Sequence, residues 1–201
     1  MAGCSTGKQD QATGNGEDTT LVKPDYENYP AFSENGYINA VVEIPAGTSH
    51  KIEFDHVSGE FLNDTFNGMI RIVEFLPYPG NYGFIPSTLM DTATGGDGDP
   101  LDIIIISESV PTGTIMEIVP IGILLLYDYG EADYKVVAVP ADEEKRIVRV
   151  RNFSEFSEKQ AKAKLMLEQW FLSYKGEYVM EFEGWGNEAQ ADSIIRSCLN
   201  Q

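Results

Sequence analysis

Cysteine and histidine are scarce in this chain of 201 residues, with two of each: Cys4, Cys198, His50 and His56. No Cys-x-x-Cys pair and no zinc-type spacing is present, which excludes a thiolate–imidazole zinc centre as the organising feature. Cys4 falls in a polar tail, so no structural disulfide with Cys198 is expected. Positive charge is also short: 14 Lys plus Arg stand against 32 Asp plus Glu, a formal charge of -18. Nucleic-acid binding rests on cations that neutralise phosphates, so a field of this sign argues against a nucleic-acid partner. It suits a protein that binds cations, or one that only stays soluble. Long apolar runs are missing too. The longest, residues 101–106 (interrupted by Asp102) and 121–126, have the length of strands and not the roughly 20 residues that cross a bilayer. A cytoplasmic location is therefore expected. The alternative is a lipid anchor on Cys4, because Met1-Ala2-Gly3-Cys4-Ser5 has the form of a lipoprotein cleavage site, although no apolar region precedes it.

What is present is enough apolar material for one core: 42% hydrophobic and 11% aromatic residues exclude a wholly disordered chain. Residues 1–20 are Gly, Thr, Gln, Asn and Asp with almost no hydrophobics, and are predicted to be a flexible tail; residues 21–201 form a single domain. Strands are predicted at residues 37–44, 51–55, 69–73, 101–106, 115–126 and 135–139, from β-branched content and alternation. Pro77-Tyr78-Pro79-Gly80-Asn81-Tyr82-Gly83 reads as a rigid aromatic loop. Helical periodicity begins only after residue 150. Ser157-Glu158-Lys159-Gln160 has the form of a capping box opening a helix that Gly176 ends, and Asn187 caps a second carrying Ile194, Ile195 and Cys198. The predicted fold is mainly β (α+β): a mostly antiparallel barrel or curved sheet with two C-terminal helices.

Most acids in such a chain are solvated surface, so position decides which are more. Asp97-Gly98-Asp99-Pro100-Leu101-Asp102 places three carboxylates within six residues, at a turn feeding the strand Ile103-Ile104-Ile105-Ile106. Carboxylates held this close repel unless cations neutralise them. Gly98 permits unusual backbone angles and Pro100 stiffens the turn, so the three heads are presented together. A calcium EF-hand loop fails: its fifth and sixth positions would be Leu101 and Asp102, and the sixth requires Gly. A second acidic loop, Asp128-Tyr129-Gly130-Glu131-Ala132-Asp133, follows another apolar strand. Two acidic loops at strand ends could share one mouth, where oxygen ligands suit magnesium or manganese. Lys51, Arg71, Lys135, Lys175, Tyr78, Tyr82 and Tyr174 offer groups that bind phosphate oxygens, although spacing alone does not bring them together.

Taken in order, these segments resemble the family I soluble inorganic pyrophosphatases. Asp97-Gly98-Asp99-Pro100-Leu101-Asp102-Ile103 matches that family's signature at every position, and the likeness runs from about residue 37 to the C-terminus. Glu43-Ile44-Pro45, Lys51-Ile52-Glu53, Tyr78, Asn81-Tyr82-Gly83, Asp128, Asp133, Lys135, Tyr174-Lys175 and Glu183-Gly184-Trp185 follow in the family's sequence. Three departures stand out. A gapless count puts Thr65 where bacterial members carry arginine, and a short insertion lets Arg71 fill that place. Tyr129 stands where an acid is usual, and residues 92–96 are extra relative to short bacterial forms.

The resemblance implies a five-stranded OB-like closed barrel, a homo-oligomer, and hydrolysis of pyrophosphate with several magnesium ions (manganese as the substitute), by attack of a metal-bridged water. It implies Asp97, Asp102 and Asp133 as inner metal ligands, with Asp128 and Glu43 assisting. Asp99 takes the water's proton; Lys51, Arg71, Tyr174 and Lys175 hold the phosphates. Lys135, Tyr82, Glu53 and Tyr78 bind or tune. The competing expectation is a non-catalytic OB-like metal- or ligand-binding protein, a degenerate pyrophosphatase.

Overall fold

The computed structural model describes residues 23–176 and 180–199. The predicted tail, Cys4 and the proposed lipid anchor lie outside these residues. Eleven strands and three α-helices follow one another: β1 Ile38–Ile44, β2 Ile52–Asp55, β3 Glu60–Asn63, β4 Thr65–Phe66, β5 Met69–Ile70, β6 Asn81–Phe84, β7 Asp102–Ile105, β8 Ile115–Asp128, β9 Glu131–Ala132, β10 Lys135–Pro140, α1 Phe153–Lys159, α2 Ala161–Ser173, β11 Glu181–Gly186 and α3 Glu188–Ser197. The molecule is thus mainly β with few helices. No described helix is long and apolar enough to cross a membrane.

In the main sheet β1 pairs with β6, β6 with β7, β7 with β10, and β10 with β8. Strand β8 then pairs back onto β1, through Ile38↔Ile118 to Val41↔Ile115. All of these pairs are antiparallel except β7 with β10. Strand β8 is 14 residues long and also carries β11 and β9. Its pairing to β10 shifts register beside Pro120, skipping Ile121, as a β-bulge does.

The aliphatic runs are continuous instead of alternating with polar residues because the sheet is covered on both faces. Ile103, Ile105, Val136 and Ala138 pack in one cluster with Ala191 and Ile195 of α3. Their neighbours Ile104, Ile106, Val137 and Val139 pack in another with Phe156 of α1 and with Leu167, Trp170 and Phe171 of α2. The two-residue period of the strands thus builds two cores from one run.

Several expectations change. Asn81-Tyr82-Gly83 is strand β6 and not loop: a Cβ on Gly83 would lie 1.9 Å from the Val41 carbonyl oxygen, so glycine is there to let β1 approach. The capping box at Ser157 does not form. Asn152 caps α1, its side chain accepting from Glu155 N–H, and the chain breaks at Gln160 before α2. The C-terminal part therefore holds three α-helices where two were predicted. The cap on α3 is as expected, with the Asn187 side chain accepting from Gln190 N–H. The strand predicted at 69–73 shortens to β5, with Ile72 only bridging His50. It pairs with β4 in a hairpin turned by Asn67 and Gly68, both at positive φ (54° and 77°), as a two-residue turn requires.

Candidate active site

The aspartate-rich turn is pinned before it delivers its carboxylates. The Gly98 N–H donates to the Met90 carbonyl, and Met90 N–H to the Asp99 carbonyl, both at 2.8 Å. The Asp97 carboxylate accepts from Asp99 N–H at 3.0 Å, folding the turn over Gly98, whose φ is 89°. Fully buried Leu101 anchors the far side. Asp102 then opens β7, directly opposite Lys135 on β10. Asp133 stands two residues before Lys135 and shares its face. Buried Lys135 therefore donates to both Asp102 and Asp133.

The second acidic loop is stitched to the first. Ala132 N–H donates to the Gly95 carbonyl at 2.8 Å, and Gly96 bridges Ala132 in parallel. The two loops thus share one mouth, with Asp128 closing β8 and bound by Lys175 from the end of α2. Tyr129 takes the first turn position at φ 51°, an unusual conformation for a bulky residue, and is 82% exposed. On the opposite wall, Glu43 of β1 accepts from Phe54 N–H at 2.7 Å, and Lys51 pairs with Glu53. The wall between is aromatic. Buried Tyr78 packs on Trp170 (4.7 Å) and Tyr82 (5.4 Å), and Tyr174 stacks flat on Trp170. The Tyr82 hydroxyl donates to Asp102 Oδ2 at 2.6 Å.

One cavity of about 1060 Å³ is lined by all of the predicted site residues: Glu43, Lys51, Glu53, Arg71, Tyr78, Tyr82, Asp97, Asp99, Asp102, Asp128, Asp133, Lys135, Tyr174 and Lys175. Arg71 faces it and Thr65 does not, which favours the alignment with an insertion. Sequence reasoning missed Asp64, which ion-pairs with Arg71 behind the cavity wall. Its only signal was a place between two strand segments that each carry a cation.

Burial acts strongly on the acids. It pushes the Glu43 carboxyl up to about 8, against the Phe54 N–H, with the Asp102 and Glu53 charges adding to the rise. It pushes Asp97 up to about 6. Burial also raises Asp102, more than Lys135 offsets. At Asp133 the balance reverses: burial works upward, but the Lys135 ammonium holds it below the usual carboxylate range. Burial would lower Lys135, yet Asp102 and Asp133 hold it above the usual lysine range. The Tyr78, Tyr82 and Tyr174 phenols are raised by desolvation and stay protonated donors.

The Glu43 shift has a testable sign. Between its ordinary value of 4.5 and about 8 the folded chain keeps a proton that the unfolded chain has lost. This contribution to stability is complete below pH 4.5 and is lost as pH rises through 8. In metal-free buffer the melting temperature should fall across that window, and Glu43→Gln should flatten the fall. An equally steep fall in the variant would contradict the assignment.

Among the described residues, no three His, Cys, Asp or Glu side chains stand close enough to enclose one cation as they lie. Lys135 occupies the place between Asp102 and Asp133. The donor set nonetheless fits hard cations: every acid is an oxygen ligand, burial disfavours the uncompensated charge on Glu43, Asp97 and Asp102, and Asp128 Oδ1 is buried with no hydrogen-bond partner. Carboxylates able to hold cations, beside Arg, Lys and Tyr groups able to donate to phosphate oxygens, are the groups that a metal-assisted phosphoryl-transfer site needs.

The family model for inorganic pyrophosphatase matches residues 40–201. The chain belongs to the inorganic pyrophosphatase family. It is 33% identical over 176 residues to the inorganic pyrophosphatase of Neisseria meningitidis serogroup B, covering 86% of this chain and 92% of that one. To the enzyme of that name from Sulfolobus acidocaldarius it is 34% identical over 169 residues, covering 82% and 90%. The crystal structure of inorganic pyrophosphatase from Thermus thermophilus superposes with a TM-score of 0.72 at 27% identity, covering 88% of this chain and 97% of that one.

Proposed function

We propose that this cavity hydrolyses pyrophosphate to two phosphates, with water as the attacking group. The observation that carries the reading is the convergence of all the candidate acids, cations and phenols on one cavity, in a chain whose family is established. Pyrophosphate is itself an anion, so a site this acidic accepts it only together with cations. Asp97, Asp102 and Asp133 would hold the inner ones, with Asp128 and Glu43 toward the outside. Magnesium, with manganese as substitute, fits these hard oxygen donors. Bound there, divalent cations supply neutralisation of the phosphates and a lowered pKa for a neighbouring water.

The chain's own residues account for the rest. Asp99 is exposed, lines the cavity and stands outside the Lys135 pairing, which supports its taking the water's proton. Lys51, Arg71, Tyr174 and Lys175 bind phosphate oxygens and offset charge on the leaving phosphate. The Tyr82 hydroxyl, engaged by Asp102, orients that carboxylate, while Tyr78 backs it and Glu53 holds Lys51. The circular pairing of β1, β6, β7, β10 and β8 supports a five-stranded OB-like barrel carrying this site. We place the chain in the cytoplasm as a homo-oligomer, on the family's habit.

Phosphate release separates this function from a passive barrel, and ligand choice separates it from an oligonucleotide-binding one. With calcium present, pyrophosphate should raise the melting temperature, by about 2.7 kcal/mol of stabilisation at a hundredfold excess over its dissociation constant. A single-stranded oligonucleotide should leave it unchanged at any salt concentration. Stabilisation by the oligonucleotide but not by pyrophosphate would contradict the reading.

A further inference from the structure

Lys51, Asp64 and Arg71 come from three pieces of chain and close a triangle of backbone hydrogen bonds. Lys51 N–H donates to the Arg71 carbonyl at 3.1 Å, Asp64 N–H to the Lys51 carbonyl at 2.8 Å, and Arg71 N–H to the Asp64 carbonyl at 2.8 Å. The side chains repeat the arrangement. Arg71 Nη1 donates to Asp64 Oδ2 at 3.1 Å, and Lys51 Nζ lies 3.8 Å from the same oxygen. Both cations line the cavity, whereas Asp64 does not. The hairpin β4–β5 fills the gap between Asp64 and Arg71. Its Thr65↔Ile70 pairing returns the chain to Asp64, so that Arg71 arrives beside Lys51.

We infer that Asp64 is a positioning residue: a carboxylate behind the cavity wall that aims the Arg71 guanidinium and, sharing the Lys51 ammonium with its nearer partner Glu53, sets the spacing of the two cations for the two ends of a diphosphate. This rests on the proposed reading of the cavity. A guanidinium held by a carboxylate on one edge keeps its other N–H groups aimed in a fixed direction, and binding depends on that aim. Two plainer roles make different forecasts. If Asp64 only balanced charge, removing it would leave two stronger cations and tighten anion binding. If it only braced the fold, its loss would lower stability and leave the kinetics alone. Arg71 is 38% exposed, and ion pairs at such exposure contribute little stability, so the variants should fold.

The test compares the unaltered chain with Asp64→Asn, Asp64→Glu, Arg71→Met and the double variant Asp64→Asn/Arg71→Met. It measures calorimetric binding of a methylene-bridged diphosphonate with magnesium, kcat and KM for pyrophosphate, and the melting temperature. Positioning predicts that Asp64→Asn weakens diphosphonate binding and raises KM by about tenfold, with kcat less affected and melting nearly unchanged. Asp64→Glu should recover part of the loss. In the Arg71→Met background Asp64→Asn should cost clearly less, because one of its two clients is gone. Unchanged or tighter binding in Asp64→Asn, or losses that simply multiply in the double variant, would overturn the inference. If the unaltered chain binds the diphosphonate without hydrolysing pyrophosphate, the proposed function fails while the Asp64 comparison still reads out. If it binds neither, both fall.

Discussion

Asp102→Asn should lower pyrophosphate turnover by about a hundredfold or more while leaving the fold intact. Asp102 is where the site's geometry concentrates. It heads β7, faces Lys135 across the parallel pairing with β10, and accepts from the Tyr82 hydroxyl. Asparagine keeps the volume and can still accept from Lys135, but it removes the charge that would hold a cation. Stability should change little because two effects oppose each other. The Lys135 attraction weakens, while the cost of keeping a buried carboxylate charged disappears. Phosphate release and melting, measured together on one preparation, check this. Turnover near that of the unaltered chain would remove Asp102 from the cation-holding set.

Lys135→Met should act on stability as strongly as on turnover. Lys135 is 2% exposed and is the shared partner of two carboxylates. Methionine fills much of the space but leaves Asp102 and Asp133 facing each other without a cation. Breaking a buried pair by removing one partner costs about 3–5 kcal/mol, so the denaturation midpoint in metal-free buffer should fall clearly at neutral pH. The fall should shrink at acid pH, where the carboxylates take protons, and shrink again when magnesium is added. A chelator should reverse the magnesium effect. A midpoint that ignores both pH and magnesium would show that the two aspartates do not form a cation-seeking pair.

The site was more legible than the frame around it, for physical reasons. Asp97, Asp99 and Asp102 crowd into one turn, and mutual repulsion in so short a segment is a local property that spacing shows directly. Asp128 and Asp133 were legible as a second acidic loop. What joins the loops, Ala132 N–H to the Gly95 carbonyl, is a long-range contact with no signature in either segment. Gly83 misled for a similar reason. Two prolines and two glycines within residues 77–83 suggest a loop, but Gly83 is demanded by the Val41 carbonyl of another strand. The α1 start was misread because two capping patterns compete within a few residues. Asn152 wins, with Phe153 and Phe156 packing beside Trp185, whereas the buried Ser157 hydroxyl is left without a partner. Arg71 was placed by allowing a short insertion before it, and in the structure the Asn67-Gly68 hairpin lies in that stretch. Asp64 was not, since one aspartate among 32 acids carries no local mark.

The most direct measurement is phosphate release from pyrophosphate by the unaltered chain, with magnesium, with a chelator, and with calcium in place of magnesium. The account predicts two phosphates per pyrophosphate with magnesium, and none with the chelator or with calcium. No release under any divalent cation, or equal release in the chelator, would contradict a cation-dependent hydrolase at this cavity.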